Sequence, residues 1–248
     1  MTAPVFVHAG VAGFRAGGQY WLDGPEGRHA VTVKRLRAGE AVVLTDGAGS
    51  GADGTVADSA GKDRLLVEVS AVRHEPPARP SLTVVQALPK GDRGELAVEL
   101  MTETGVDVVV PWDAARCVTR WKGERRAKAL AKWRTTAREA GKQSRRLRFP
   151  EVTGQASTGE VCELLAGAAF AAVLHEAGST PLATAELPRE GGIVLVVGPE
   201  GGVSEEELAA FAEAGARPYR LGPSVLRTST AGTAGAAVLL ARTGRWGR

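Results

Sequence analysis

Short apolar runs separated by glycines dominate the first 72 residues. The runs are rich in β-branched and aromatic side chains, and they cover residues 20–22, 41–45, 54–57 and 65–69. Short strands at this spacing predict a small β-barrel. The glycine-rich segment 47–51 lies between two of these runs instead of opening a helix, so we interpret it as a hairpin turn and not as a nucleotide-binding loop. Residues 29–37 fit either a basic helix or a strand.

A proline-rich segment separates this part from a different pattern. Residues 74–80 hold three prolines and no apolar periodicity, which indicates a stiff linker. The strand-like runs beyond it are 82–88, 106–110 (ending before Pro111), 169–174, 193–197 and 217–221, and the helical segments are 95–104, 125–140, 159–165 and 231–241. This alternation predicts an α/β domain with a mainly parallel sheet covered on both faces. The predicted parts are a barrel at 1–72, a linker at 73–80 and the α/β domain at 81–248.

The positive charge is concentrated in one segment. Residues 116–148 contain thirteen Lys and Arg against two Glu, whereas the whole chain carries a net charge of only +3. Such a concentration is typical of a surface that binds a polyanion, and we expect Trp121 and Trp133 to add stacking on bases. The alternative is a solvated helix face. We favour contact with RNA or DNA because few acids lie near enough to pair with these charges.

Composition excludes several classes of protein. With 248 residues, 44% of them hydrophobic and 24% charged, the chain is neither disordered nor fibrous. No apolar run reaches the roughly 18–20 residues of a membrane span and the N-terminus lacks a signal-peptide pattern, so we expect a soluble, cytoplasmic protein. Cys117 and Cys162 are isolated, so we expect two core thiols and neither a disulfide nor a metal site.

Two loops carry the candidate chemistry. The strand at 193–197 runs directly into the glycine-rich turn 198–202, and Ser204 with Glu207 forms a capping-box pattern for the next helix. Ligands of open α/β sheets bind at such carboxyl ends of strands. The acidic residues at 200 and 205–207 would repel a phosphate there, so the turn suits a neutral or cationic ligand.

The second loop covers residues 222–230 and precedes a helix of small residues. Thr228, Ser229 or Thr230 can cap that helix. Arg227 carries the one guanidinium in this loop, a planar group that can donate two parallel hydrogen bonds. Its side chain either contacts a substrate or neutralises the acids that follow Gly202.

Both loops resemble the signature of a known superfamily. Gly-Pro-Glu-Gly-Gly at 198–202, followed by Leu-Gly-Pro-Ser-Val-Leu-Arg-Thr at 221–228, resembles the paired signature of the SPOUT superfamily of RNA methyltransferases. The segments 88–92, 103–106 and 139–150 resemble more specifically the family that methylates N3 of a uridine in 16S ribosomal RNA. Matches at 29–39 and 45–47 extend this resemblance into the first predicted domain.

The resemblance implies a fold, a cofactor and partners. It implies a PUA-like β-barrel at the N-terminus, a C-terminal α/β SPOUT domain threaded into a trefoil knot, and a homodimer. It also implies S-adenosylmethionine as the cofactor and 16S rRNA in the 30S ribosomal subunit as the substrate. The implied cofactor-binding residues are Leu174, His175, Gly198, Pro199, Glu200, Gly201, Gly202, Leu221, Gly222, Leu226 and Arg227. The predicted RNA-binding residues on the basic helix are Arg125, Lys128, Lys132, Arg134 and Arg138.

A catalytic role is predicted for Arg227 alone. Uracil N3 attacks a methyl group only after losing its proton, and a guanidinium stabilises the resulting negative charge. The proton acceptor stays open among His8, His29, His175 and water.

Two positions depart from the family pattern, which limits the assignment of roles. Ser229 and Leu100 stand where the family usually has Glu and Lys, so neither is assigned a catalytic role. Two alternative functions remain: another SPOUT RNA methyltransferase that acts on tRNA or on a large-subunit ribose, and a non-catalytic RNA-binding assembly factor.

Overall fold

The computed structural model describes residues 3–247, which form two compact units. The first unit comprises the residues up to Pro77 together with Gly141–Phe149, and the second comprises the rest. Gly141–Phe149 returns to the first unit because its backbone pairs there: the N–H of Gly49 donates to the oxygen of Leu147 at 2.9 Å, and the N–H of Phe149 donates to the oxygen of Gly47 at 2.8 Å. The predicted boundary at 73–80 does not include this return, since local composition carries no signal of pairing between distant segments.

The first unit is built on a mixed five-stranded sheet. Its strands are β1 (Val5–Val7), β2 (Gln19–Leu22), β3 (Ala41–Thr45), β4 (Ser50–Ala60) and β5 (Arg64–His74). They lie in the order β1-β3-β4-β5-β2, with β1 parallel to β3 and the other neighbours antiparallel. The interpretation of 47–51 as a hairpin turn is confirmed, because this segment joins the antiparallel β3 and β4. The undecided segment 29–37 begins as a π-helical turn, His29–Val33, directly after the short helix α1 (Gly24–Arg28).

The second unit is built on a parallel seven-stranded sheet. Its strands are β6 (Ser81–Ala87), β7 (Val108–Trp112), β8 (Glu151–Val152), β9 (Phe170–Leu174), β10 (Thr180–Pro181), β11 (Gly192–Val197) and β12 (Arg217–Arg220). They lie in the order β10-β12-β9-β11-β6-β7-β8, and every neighbouring pair is parallel. The helices are α2 (Arg93–Thr104), α3 (Gly123–Gln143), α4 (Thr158–Ala166), α5 (Glu205–Glu213) and α6 (Thr228–Arg242). The predicted alternation of strands and helices is confirmed.

Helices cover both faces of this sheet. α6 packs closely on one face, where a Cβ on Gly232 would lie 3.3 Å from Oε1 of Gln86. Successive strand residues point to opposite faces, so Ala87, and Trp112 in register with it, point away from α6. On that opposite face the Trp112 ring meets Phe211 of α5, with ring centroids 5.3 Å apart. Coverage of both faces explains why β11 is a continuous apolar run from Ile193 to Val197.

Several predicted boundaries are wrong. β4 and β5 extend well beyond the predicted runs 54–57 and 65–69, and β5 ends at His74, inside the predicted linker. The strand predicted to end before Pro111 continues through it to Trp112, at the side of the sheet where the short edge strand β8 pairs only with Val108 and Val109. The last helix begins at Thr228 and not near Ala231, because its first turn is built from the loop residues themselves. Among residues 3–247, no helix is long and apolar enough to cross a membrane.

Candidate active site

A cavity of about 750 Å³ opens at the carboxyl edge of the parallel sheet. Its walls follow β9, β11 and β12, because the carboxyl ends of parallel strands meet at one edge. The residues predicted to bind a cofactor all line it: Leu174, His175, Gly198, Pro199, Glu200, Gly201, Gly202, Leu221, Gly222, Leu226 and Arg227. The structure therefore brings together three loops that are distant in sequence, and their binding role stays a prediction.

The glycine turn after β11 packs closely against Val203 and Arg116. A Cβ on Gly198 would lie 2.7 Å from Cγ2 of Val203, and a Cβ on Gly201 would lie 3.0 Å from the backbone oxygen of Arg116. Gly202 has φ +75°, a conformation that L side chains rarely adopt. These positions therefore require glycine.

A buried carboxylate anchors this turn. The predicted capping box is confirmed: the N–H of Ser204 donates to Oε2 of Glu207 at 3.0 Å, and the N–H of Glu207 donates to Oγ of Ser204 at 3.2 Å. Oε1 of Glu207 also accepts from the N–H of Ala115 at 2.7 Å and from Oγ1 of Thr158 at 3.3 Å. Glu207 is only 4% exposed. The sequence pattern identified it as a cap residue, but its links to the segments after β7 and at the start of α4 require the tertiary structure.

The second loop presents Arg227 immediately before α6. Its backbone oxygen accepts from the N–H groups of Thr230 and Ala231, both at 2.9 Å. The prediction that Thr228, Ser229 or Thr230 caps the helix is therefore wrong; Arg227 occupies the cap position, and its side chain makes no capping hydrogen bond. Within the described residues its exposed guanidinium forms no ion pair, so no contact supports the alternative that it neutralises the acids after Gly202.

Several cationic residues at the cavity were not predicted as site residues. They are Lys90, Arg93, Arg116 and Arg220. The N–H of Lys90 donates to Oε1 of Glu200 at 3.2 Å, and Nη1 of Arg116 donates to the oxygen of Gly201 at 3.4 Å. Sequence signals for two of them existed, since Lys90 lies within the motif 88–92 and Arg116 begins the basic segment.

The candidate bases fall in different parts of the chain. His8 and His29 belong to the first unit, where His8 contacts Phe14 and His29 lies edge-on to Phe6. His175 lines the cavity, and its Nδ1 accepts from the N–H of Ala177 at 3.2 Å. The neutral tautomer with an accepting Nδ1 carries its proton on Nε2, so His175 offers a donor and not an accepting nitrogen.

The basic helix exposes the five predicted RNA-binding residues. Arg125, Lys128, Lys132, Arg134 and Arg138 are all exposed on α3. Lys132 forms an ion pair with Glu95 at 3.0 Å, and Nε of Arg134 donates to the oxygen of Val152 at 3.0 Å. Lys132 and Arg134 therefore have side-chain contacts within the protein, and an RNA-binding role stays a prediction for all five residues.

The expectation that two tryptophans stack on bases is wrong. Trp121 is 8% exposed and Trp133 is 2% exposed, and their rings pack edge to face with centroids 4.9 Å apart. Trp133 belongs to the apolar stripe of α3, which also includes Ala137 and Ala140 and faces the core. Both indoles therefore stabilise the fold.

The cysteines are isolated thiols, as the sequence indicates. Cys117 is buried and Cys162 is half-buried against the core, and burial raises the pKa of both thiols. Among the described residues, no group of three or more His, Cys, Asp or Glu side chains is placed to hold a metal ion.

The parallel sheet, the cavity at its carboxyl edge and the separate mixed-sheet unit define a two-part α/β protein with a site of cofactor size. A family model for an RNA methyltransferase domain matches residues 76–240, and a model for an RNA methyltransferase PUA domain matches residues 22–70. The chain belongs to this family of RNA methyltransferases with a PUA domain. The resemblance found in the sequence and the predicted fold class are therefore confirmed.

Similar proteins agree with this assignment. The chain is 47% identical over 229 residues to the ribosomal RNA small subunit methyltransferase E of Mycobacterium bovis, covering 91% of this chain and 87% of the relative. The structure of the same enzyme from Neisseria gonorrhoeae, bound to S-adenosylmethionine, superposes with a TM-score of 0.83 at 29% identity and covers 97% of this chain and 98% of that one. A methyltransferase from Legionella pneumophila, also with bound S-adenosylmethionine, gives a TM-score of 0.85 at 26% identity, with 98% of both chains covered.

Proposed function

We propose that this protein transfers a methyl group from S-adenosylmethionine to N3 of a uridine in 16S ribosomal RNA. The observation that carries the proposal is the cavity, which is lined by both loops of the methyltransferase signature and by the end of β9. The names of its relatives support the substrate, and the bound ligand of two similar structures supports the cofactor.

The residues of the cavity fit this cofactor. A volume of about 750 Å³ lies within the roughly 300–1,000 Å³ of pockets for ligands of this size. The glycine turn, Leu174 with His175, and the loop 221–227 would hold the cofactor mainly through backbone groups. Glu200 lines the cavity beside them and complements a positively charged sulfur, whereas a bound polyphosphate would be repelled. When bound, the cofactor supplies an electrophilic methyl group.

Arg227 has the chemistry to assist the transfer. Deprotonation of N3 spreads negative charge onto the two carbonyl oxygens of uracil, and a preorganised guanidinium stabilises that charge. The two hydrogen bonds accepted by the backbone oxygen of Arg227 fix its position at the start of α6. The exposed side chain lines the cavity and reaches a bound base without breaking an internal ion pair.

Water accepts the N3 proton in this proposal. His175 is the one of the three histidine candidates that lines the cavity, and its Nδ1 already accepts from the N–H of Ala177, which leaves Nε2 as a donor. A donor at this position orients a carbonyl oxygen of the base but does not remove a proton. We therefore assign His175 a binding role and leave N3 to lose its proton to solvent.

The substrate and assembly follow from the family resemblance. We propose that the protein acts on the 30S subunit in the cytoplasm as a homodimer. Sedimentation equilibrium tests the dimer, and a purely monomeric protein at assay concentration would contradict it. The target base must leave its stack to reach the cavity, because N3 lies on the pairing edge.

The deciding experiment is methylation of isolated small subunits with labelled S-adenosylmethionine, followed by mass spectrometry of the nucleosides. N3-methyluridine in 16S rRNA is the expected product. A 2′-O-methylated nucleoside would favour a ribose methyltransferase of the same superfamily. Calorimetry that shows no binding of S-adenosylmethionine would favour a non-catalytic assembly factor.

A further inference from the structure

Three cations line one wall of the cavity. Lys90 lies in the loop after β6, Arg93 is the first residue of α2 at the end of that loop, and Arg116 lies in the loop after β7. These two strands are neighbours in the sheet, so both loops leave the same edge side by side. Lys90 and Arg116 are exposed, and Arg93 is half-buried.

The charge of this wall does not match the cofactor. S-adenosylmethionine carries positive charge on its sulfur and its amino group and negative charge on one carboxylate, so it can pair with at most one of these three cations. Two acids offset part of this charge: Glu200 accepts from the N–H of Lys90, and Glu206 interacts electrostatically with Arg116. The excess of positive charge instead suits an anion that approaches the mouth of the cavity.

Arg116 is held in place by its surroundings. The N–H of Ala115 donates to the buried Glu207, and Arg120, paired with Asp113, donates to the backbone oxygens of Ala114 and Ala115 at 2.9 and 2.7 Å. The guanidinium of Arg116 has five N–H donors, and one of them is used on Gly201. The remaining donors can form a bidentate contact with a phosphate.

We propose that Lys90, Arg93 and Arg116 form a phosphate-binding wall that grips the RNA backbone beside the target base. Phosphate contacts set the register of a nucleic acid without reading its sequence. The wall therefore positions the uridine over the cofactor while the glycine turn and the loop 221–227 hold the cofactor. This inference rests on the proposed function, because the RNA substrate supplies the phosphates.

The salt dependence of RNA binding tests the wall. Each lost phosphate contact lowers the slope of log Kd against log salt concentration by about 0.7–0.9, so the double variant Lys90→Ala/Arg116→Ala lowers it by about 1.5. We expect the same double variant to raise the KM for small subunits. Its affinity for S-adenosylmethionine, measured by calorimetry, stays within a few-fold of that of the unaltered protein. Arg116→Lys keeps the charge and restores the contribution of that position to the slope.

The matched control is Arg189→Ala/Arg217→Ala, which removes the same charge from exposed positions outside the cavity lining. The inference is overturned if Lys90→Ala/Arg116→Ala changes the salt slope no more than this control does. It is also overturned if the double variant loses affinity for S-adenosylmethionine to the same extent as for RNA, because Arg116 would then act only through the glycine turn. Methylation by the unaltered protein together with an unchanged slope overturns the wall alone. Failure of the unaltered protein to methylate rRNA overturns the proposed function, whatever the slope.

Discussion

Arg227 is the side chain whose surroundings fit a role in stabilising charge on the substrate. We expect Arg227→Ala to keep the affinity for S-adenosylmethionine within several-fold and to lower turnover on small subunits by more than about tenfold, as does the loss of one transition-state donor. Calorimetry and initial rates measure the two effects separately. Arg217→Ala, at an exposed position outside the cavity lining, is the control. Unchanged turnover would remove Arg227 from the mechanism.

The buried carboxylate of Glu207 supports the glycine turn through hydrogen bonds. Its two oxygens accept from the N–H groups of Ser204 and Ala115, and an amide has only one oxygen to accept with. Glu207→Gln therefore leaves a buried N–H unpaired. We expect it to lower the free energy of unfolding by about 1–3 kcal/mol and to weaken cofactor binding.

Urea unfolding measures the stability change at Glu207. The exposed Glu205, also in the first turn of α5, provides the control as Glu205→Gln. Equal stability and equal cofactor affinity of the two variants would show that the hydrogen bonds of Glu207 do not hold the glycine turn.

At the scale of elements, α3 presents the clearest candidate surface for RNA. We expect reversal of Lys128, Lys132 and Arg134 to Glu to weaken RNA binding and to flatten its salt dependence, because phosphate contacts are lost. Binding measured across a salt series gives both quantities. An unaltered slope would mean that this face of α3 is only solvated.

Internal contacts on α3 call for a sharper version of this test. Reversal of Lys132 also places two carboxylates together, since Lys132 pairs with Glu95. The double variant Arg125→Glu/Lys128→Glu avoids that contact. A slope reduced by the triple variant but not by the double one would assign the effect to the disturbed packing of α3 on α2.

The predictions for Trp133 and Pro111 are wrong for different reasons. The sequence of α3 combines a charged face with an apolar stripe, and Trp133 could be read with either one. In the structure the Trp133 ring packs against α2, where a Cβ on Gly94 would lie only 2.7 Å from it. Pro111 has no N–H and therefore predicts a strand end, yet it is tolerated in β7 next to the edge strand β8.

At the scale of the whole molecule, the return of Gly141–Phe149 to the first unit is the feature with the clearest effect on stability. A Cβ on Gly141 would lie 2.4 Å from the Phe149 ring. We expect Gly141→Ala to lower the free energy of unfolding by about 1–3 kcal/mol, the usual cost of overpacking. Urea unfolding followed by circular dichroism measures this change.

Gly13 offers a control in the same unit, since a Cβ there would meet nothing within 4 Å. We expect Gly13→Ala to leave the stability unchanged or slightly raised, because it mainly restricts the unfolded chain. Equal effects of the two substitutions would show that Phe149 can move aside without cost.

The sequence by itself determined the type and order of the long elements, the hairpin at 47–51, the capping box at Ser204 and the two signature loops. Each of these is encoded within a few neighbouring residues, through periodicity, turn chemistry or motif spacing. Only the tertiary structure decided which distant segments meet. It placed Arg116 on the glycine turn, buried Trp121 and Trp133, and paired Leu147 with Gly49. Such contacts depend on the register and packing of whole elements, and no local pattern specifies them.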